Sequence, residues 1–209
     1  MRLASSAFRA LIGAFVLAAP IPALAQPSTR TIEELASGIG EVEPSPIGLL
    51  HRASGYIFPR TLGEVPARKS TAYGPGDVDV YYTLYGGGNG DGWVSLFVYP
   101  ANITITEEVA NVGQSIVSGM SGHRVGRPAE IGAPPSGVEE GWFEGAIEGK
   151  QIVTGYRVVR IGDWFIKARV SVPIGADEAV LKRVGAALTA IDFAPSNLKT
   201  TDVAKAAAQ

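Results

Sequence analysis

The chain has 209 residues, of which 18 are Lys or Arg, 20 are Asp or Glu, two are His and none is Cys. Without cysteine it forms neither disulfides nor a thiolate metal site, and its formal net charge of −2 is unlike that of nucleic-acid-binding domains. A hydrophobic content of 46% against 18% charged residues indicates a folded protein rather than a disordered chain.

Residues 1–25 have the features of a secretory signal peptide. Two arginines precede a short apolar run over 10–19, prolines interrupt it, and a small-residue cleavage motif ends at Ala25. The run is about half as long as the roughly 20 apolar residues that a membrane-spanning helix needs. We therefore expect cleavage between Ala25 and Gln26, no transmembrane segment in the mature chain, and a periplasmic location in a bacterium, with extracellular release as the alternative.

The segments that flank the expected domain are polar or Ala-rich. Residues 26–46 contain several Pro and Gly and predict a flexible leader, although Thr31 followed by Glu34 is a capping-box pattern typical of a helix start. We expect a single domain over 47–194 and a frayed C-terminal tail over 195–209.

Six segments rich in β-branched and aromatic residues predict strands. They lie at 56–58, 78–85, 93–99, 142–147, 151–161 and 164–173. The glycine-rich run 86–92 joins the second and third of these segments, and the dipeptide Gly162-Asp163 joins the last two. Both connections predict β-hairpins.

The turn at Gly162-Asp163 sets a register for the last hairpin. If these two residues form the loop, Ile161 lies opposite Trp164. Because side chains alternate across a strand, most of the aliphatic side chains then share one face with Trp164. The opposite face carries Tyr156, Val158, Arg160, Phe165, Lys167 and Arg169.

Two segments have the periodicity of amphipathic helices. In the first, Thr104 and Glu107 form a capping pair ahead of an apolar stripe made of Val109, Val112, Ile116 and Met120. In the second, the stripe is made of Val180, Leu181, Val184, Leu188 and Ile191. The element order predicts an α+β fold, with an antiparallel β-sheet built from hairpins and two main helices packed on it.

Four short patterns in this order resemble those of the PsbP/Mog1/DcrB-like α+β superfamily. They are Phe58-Pro59-Arg60-Thr61-Leu62-Gly63, Val98-Tyr99-Pro100, Gly162-Asp163-Trp164 and Ile191-Asp192-Phe193. The resemblance covers most of residues 50–193 and rests on element order and strand-end patterns. It implies a non-enzymatic accessory or binding protein, and it assigns a role to no single residue.

Two glycine-rich segments are weak candidates for ligand loops. The run 86–92 is similar to a calcium-binding nonapeptide, but it is a single copy with one carboxylate, so a hairpin tip is favoured. The segment 145–151 lacks the spacing and the Ser or Thr of a phosphate-binding loop. We expect no cofactor and no metal.

The polar residues also offer only weak catalytic candidates. His51 and His123 are the only imidazoles and are expected on the surface, since a zinc site would need further ligands. Ser121 lies two residues from His123, which alone does not define a nucleophile and its base. Glu139, Glu140, Glu144 and Glu148 are expected to form a solvated acidic edge. The last two, on one predicted strand, would be roughly 13 Å apart, farther than the ~5–9.5 Å of a glycosidase pair.

The candidate binding site is the hairpin face that carries Tyr156, Arg160, Lys167 and Arg169. Basic and aromatic side chains on one sheet face can hold an anionic ligand or an acidic partner. The alternative is an ordinary solvent-exposed face with long side chains lying along it. We expect an exported, non-catalytic accessory or binding protein with a protein or small-ligand partner. A carrier of a small ligand or lipid moiety is the alternative, and a hydrolase is third.

Overall fold

The computed structural model describes residues 30–84 and 92–199, and these residues are mostly β. Strands account for 44% of them and helices for 20%. The strands are β1 (Val42–Ser45), β2 (Gly48–His51), β3 (Ile57–Pro59), β4 (Thr61–Leu62), β5 (Val65–Gly74), β6 (Asp77–Thr83), β7 (Trp93–Pro100), β8 (His123–Val125), β9 (Glu139–Ile147), β10 (Lys150–Ile161) and β11 (Trp164–Pro173). The helices are α1 (Ile32–Ala36), α2 (Ile105–Met120) and α3 (Glu178–Thr189).

The predicted α+β class is therefore wrong, because the fold of the described residues is β-rich with two sheets rather than helices packed on one sheet. Five strands had no counterpart in the prediction. β1, β2, β4 and β8 are at most four residues long, so they give little alternation to detect, and β5 carries Pro66, Arg68 and Lys69 among its small residues.

Eight strands form one antiparallel sheet in the order β4-β5-β6-β7-β11-β10-β9-β8. The predicted register of the β10–β11 hairpin is confirmed, since Ile161 pairs with Trp164 across the Gly162-Asp163 turn. β11 also pairs with β7, and this pairing joins the two predicted hairpins at the centre of the sheet.

One face of this sheet carries the main hydrophobic core. Side chains such as Val80, Leu96 and Ile166 are fully buried there. The three-stranded antiparallel sheet β1-β2-β3 and the helices α1 and α3 contribute apolar side chains to the same core. The aliphatic side of β10 and β11 lies in this core, as the register predicts.

The leader expected at 26–46 differs from the structure over residues 31–45. Thr31 and Glu34 form the predicted capping box at the start of α1. Ile32, Leu35 and Val42 are almost fully buried in the main core. The ordered fold therefore begins well before residue 47, because these three side chains bury apolar surface that a free segment would leave in water.

The C-terminal segment expected to be frayed also begins with contacts. The Trp164 indole donates a hydrogen bond to the Lys199 carbonyl at 3.0 Å, and the Lys199 amide donates to the Ser54 carbonyl at 2.7 Å. Asn197 donates through Nδ2 to the Gly55 carbonyl at 3.3 Å. Residues 195–199 are thereby tied to the main core.

The predictions for 1–25, including the cleavage site between Ala25 and Gln26, lie outside the described residues. So do those for 85–91 and 200–209, which contain most of the glycine-rich run and the rest of the tail. Over 30–84 and 92–199, no helix has both the length and the apolar character needed to cross a membrane.

Candidate functional site

The second face of the large sheet is covered in part by α2. Thr104 caps this helix, and its hydroxyl accepts a hydrogen bond from the Glu107 amide at 3.2 Å, as the predicted capping box requires. The predicted apolar stripe is confirmed on the side of α2 that faces the sheet, where Val112, Ile116 and Met120 are buried. These side chains pack with Phe143, Ile152, Tyr156, Val158 and Phe165 in a second hydrophobic cluster.

A cleft of about 370 Å³ lies between α2 and the sheet, beside this second cluster. Its lining consists of Phe97 from β7, Lys167 and Arg169 from β11, and Glu108, Asn111, Val112, Ser115 and Ile116 from α2. The register explains why both basic residues lie in it. Lys167 pairs with Phe97 on the neighbouring strand, and Arg169 is two residues further along the same face.

Lys167 is paired with an acidic side chain inside the cleft. Its Nζ lies 3.1 Å from Oε1 of Glu108, and Glu108 also accepts a hydrogen bond from the Tyr99 hydroxyl. The ammonium lies 4.5 Å from the ring centroid of Tyr99 and 5.2 Å from that of Phe97, within cation–π range. Burial lowers the pKa of Lys167, and the charge of Glu108 opposes this shift. Burial together with Glu108 raises the pKa of Tyr99.

Arg169, the second basic group of the cleft, has no such partner in the part of the chain that the structure describes. Its guanidinium has neither a hydrogen bond nor an ion pair with any residue of the described part of the chain. Burial lowers the pKa of Arg169, yet an arginine side chain stays charged in proteins. By contrast, the buried Arg157 donates to the Gly132 carbonyl and lies 3.5 Å from Glu140. Arg169 therefore presents to the cleft a partly desolvated positive charge that no described residue compensates.

The four residues predicted as a binding site share a sheet face, but only Lys167 and Arg169 line the cleft. Tyr156 is buried beneath α2, and its ring stacks on Phe143 with centroids 6.3 Å apart. Arg160 donates to the carbonyls of Ile103, at 3.0 Å, and Gly162, at 3.1 Å. It therefore holds the segment that enters α2, and it is not part of the cleft.

Sequence reasoning missed the contribution of α2 to the site. Glu108, Val112 and Ile116 are spaced four residues apart, so they lie on one side of the helix. An acidic residue in line with an apolar stripe was the available signal, since such a residue must find a partner when the stripe is buried. Glu108 is 7% exposed, and Lys167 and Tyr99 are its partners.

The two histidines lie on different sheets, and the expectation that both are on the surface is wrong for His51. His51 in β2 is fully buried, and its Nδ1 lies 2.6 Å from the Ser54 hydroxyl. Burial lowers the pKa of His51 to about 4. Ser54 is also fully buried, so no substrate reaches this Ser–His pair. His123 in β8 is exposed, and the part of the chain that the structure describes has no group of three or more His, Asp and Glu placed to hold a metal ion.

The expected acidic edge is divided between different environments. Glu140 accepts a hydrogen bond from Arg127 and forms an ion pair with the buried Arg157, so it is a structural anchor. Glu148 lies in the turn after β9 with a left-handed φ of 50°, whereas Glu144 lies within β9. The last two are thus not on one strand, because β9 ends at Ile147.

Comparisons of this chain with protein-family models, with curated proteins and with solved structures found no match.

Proposed function

We propose that this protein is an exported, non-catalytic binding protein of the bacterial envelope, and that it binds a small anionic ligand in the cleft beside α2. The observation that carries the proposal is the guanidinium of Arg169, which has no hydrogen-bond or ion-pair partner among residues 30–84 and 92–199. The proposal joins the expected binding role to the alternative of a small-ligand carrier.

The physical argument rests on the cost of a partly buried charge. Removing a guanidinium from water costs free energy that an ion pair or hydrogen bonds normally offset. Among the described residues, Arg157 and Arg160 have such partners, and Arg169 has none. An anion in the cleft would supply the missing partner and would be attracted more strongly there than in open solvent.

Binding is favoured over catalysis by the way the other polar groups are engaged. Glu108 accepts hydrogen bonds from both Lys167 and Tyr99, so none of the three is a free base or nucleophile. The Ser–His pair formed by Ser54 and His51 is closed to solvent.

The proposed location rests on the sequence of residues 1–25 alone. A positively charged start, a short apolar run and a small-residue cleavage motif favour export through the inner membrane of a bacterium. The resemblance to the PsbP/Mog1/DcrB-like superfamily stays a prediction and agrees with a binding role.

The test uses the mature protein, residues 26–209, labelled with ¹⁵N. The Nε resonance of Arg169, assigned by its loss in Arg169→Gln, is followed by NMR while acetate, phenylacetate, sulfate and inorganic phosphate are added separately. We expect at least one of these anions to shift this resonance in a saturable way. The Nε resonance of the exposed Arg60 is the control, and its chemical shift should show no saturable change over the same range of anion concentration. If none of the four anions moves the Arg169 signal, the proposal is wrong.

A further inference from the structure

The lining of the cleft contains two cations, Lys167 and Arg169, and one carboxylate, Glu108. One positive charge therefore remains to attract a ligand. Lys167 is within 3.1 Å of Glu108, so this pair contributes little net charge. The carboxylate of Asp77 also interacts electrostatically with Lys167 and partly opposes the effect of burial, which lowers the pKa of this lysine. Arg169 is then the one cation of the lining without a counter-charge among the described residues.

This balance of charge discriminates between classes of anion. A phosphate monoester carries close to two negative charges near neutral pH, and in this cleft it would lie beside the carboxylate of Glu108. A carboxylate carries one charge and matches the planar fork of a guanidinium, which can hold both oxygens. The cleft therefore favours a monoanion over a dianion.

The remaining lining favours a ligand with an apolar body. Phe97, Val112 and Ile116 present aromatic and aliphatic surface to the same cleft as Arg169. Asn111 and Ser115, four residues apart on α2, add two neutral hydrogen-bonding side chains. The volume of about 370 Å³ is near the lower end of the ~300–1,000 Å³ usual for ligand pockets, which suits a small molecule.

We infer that the ligand of this cleft is a small organic acid with one carboxylate attached to an apolar body, such as an aryl or short-chain alkyl acid. Its carboxylate pairs with Arg169, and its body lies against Phe97 and the apolar side of α2. This inference rests on the proposed function and narrows it to one chemical class.

The experiment is a calorimetric titration of the mature protein at about pH 7.5 with four probes: phenylacetate, acetate, 2-phenylethanol and phenyl phosphate. Phenylacetate has both the single carboxylate and the apolar body. Acetate lacks the apolar body, and 2-phenylethanol lacks the charge. Phenyl phosphate has the apolar body but is a dianion at this pH. We expect phenylacetate to bind at least about tenfold more tightly than each of the other three. Acetate and 2-phenylethanol each lose an interaction worth about 1.4 kcal/mol or more, and the second negative charge of phenyl phosphate is repelled by the Glu108 carboxylate.

Three variants identify the cleft as the place of binding. Arg169→Gln should weaken phenylacetate binding at least about tenfold, and Arg169→Lys, which keeps the charge without the fork, should fall between it and the native protein. Phe97→Ala should weaken the binding of phenylacetate by a larger factor than that of acetate, because acetate has no apolar body to contact the Phe97 ring. The exposed Arg60→Gln is the matched control and should bind as the native protein does.

The outcomes separate this inference from the proposed function. Phenyl phosphate or acetate binding as tightly as phenylacetate, with loss in Arg169→Gln, would overturn the inference and leave an anion-binding cleft. Binding of phenylacetate that survives in both Arg169 variants would place it elsewhere and overturn the inference. If no anion shifts the Arg169 resonance, both the inference and the proposed function are wrong. The comparison of the four probes is made on the native protein, so it holds even if a variant fails to fold.

Discussion

At the scale of single residues, two ionisable side chains, Lys167 and His51, are removed from water in opposite electrostatic surroundings. Lys167 keeps its charge because Glu108 and two aromatic rings surround it. Among the described residues, no charged neighbour shifts the pKa of His51. Its ring contacts the rings of Trp164 and Phe58, at centroid distances of 5.3 and 6.3 Å. The first residue is therefore held as an ion and the second as a neutral imidazole.

The burial of His51 predicts a stability that depends on pH. The pKa is about 4 in the folded protein and 6.5 unperturbed, so the unfolded chain binds a proton first as the pH falls. The contribution of the neutral His51 to the free energy of unfolding is complete above about pH 6.5 and declines towards pH 4. Its loss over this range amounts to about 3 kcal/mol. Chemical denaturation at a series of pH values measures it.

The matched variants for this prediction are His51→Phe and His123→Gln. The first removes the buried imidazole and should flatten the free energy of unfolding between about pH 6.5 and 5. The second removes the exposed imidazole and should leave the pH profile of the native protein unchanged. Identical profiles for His51→Phe and the native protein would show that His51 is not the group that titrates.

The positions of single residues were predicted correctly where the alternation of side chains along a strand determines them. They were predicted wrongly where tertiary burial determines them. The Gly162-Asp163 turn was sufficient to place Lys167 and Arg169 on one face, because alternation along a strand is strict. His51 was expected on the surface because the short strand β2 was not recognised. Which part of the face α2 covers depends on tertiary packing, so the cleft was not predictable from the periodicity of either element.

At the scale of elements, the entry into α2 determines where the cleft wall lies. The Thr104 amide donates to the Glu107 carboxylate at 2.8 Å, and Arg160 bonds the carbonyl of Ile103 just before the helix. The capping box thus fixes where α2 begins, and Arg160 of β10 ties the segment just before the helix to the sheet. Glu108, in the first turns of the helix, is positioned by the same contacts.

We expect Thr104→Ala to lower the free energy of unfolding by about 1 kcal/mol, since it leaves the Glu107 amide without its side-chain acceptor. Urea denaturation of the mature protein measures the change. Thr104→Ser keeps the hydroxyl and should cost only a fraction of this amount. Equal losses in the two variants would mean that the methyl group, rather than the cap, contributes the stability.

Element-level prediction was accurate for long or strongly patterned segments. β11 and the cap of α2 are confirmed at the predicted residues, because aromatic and β-branched runs and a capping pair are strong local signals. In the small sheet, β1 and β2 were missed because each is only four residues long and β1 contains Pro44, whereas β3 corresponds to the predicted strand at 56–58. The expected fold class was wrong because β1, β2, β4, β5 and β8 all lacked a predicted counterpart, and with these strands included the described residues are mostly β.

At the scale of the whole molecule, the chain combines an expected signal peptide with a core that contains no cysteine. We predict that the full-length chain produced in a bacterial host is recovered from the periplasm with Gln26 as its first residue. Cell fractionation and the intact mass of the purified protein test this. A chain that begins at residue 26 is the control and should stay in the cytoplasm, whereas recovery of the uncut chain would contradict the prediction.

The contacts of Trp164 make its fluorescence sensitive to the position of the C-terminal segment 195–199. Its ring lies against His51, and its indole nitrogen is bonded to the carbonyl of Lys199, near the end of the described chain. Detachment of the segment 195–199 would let water reach an indole that is now only 1% exposed, which moves its emission to longer wavelength. The protein therefore carries its own optical reporter of whether the C-terminal segment is docked.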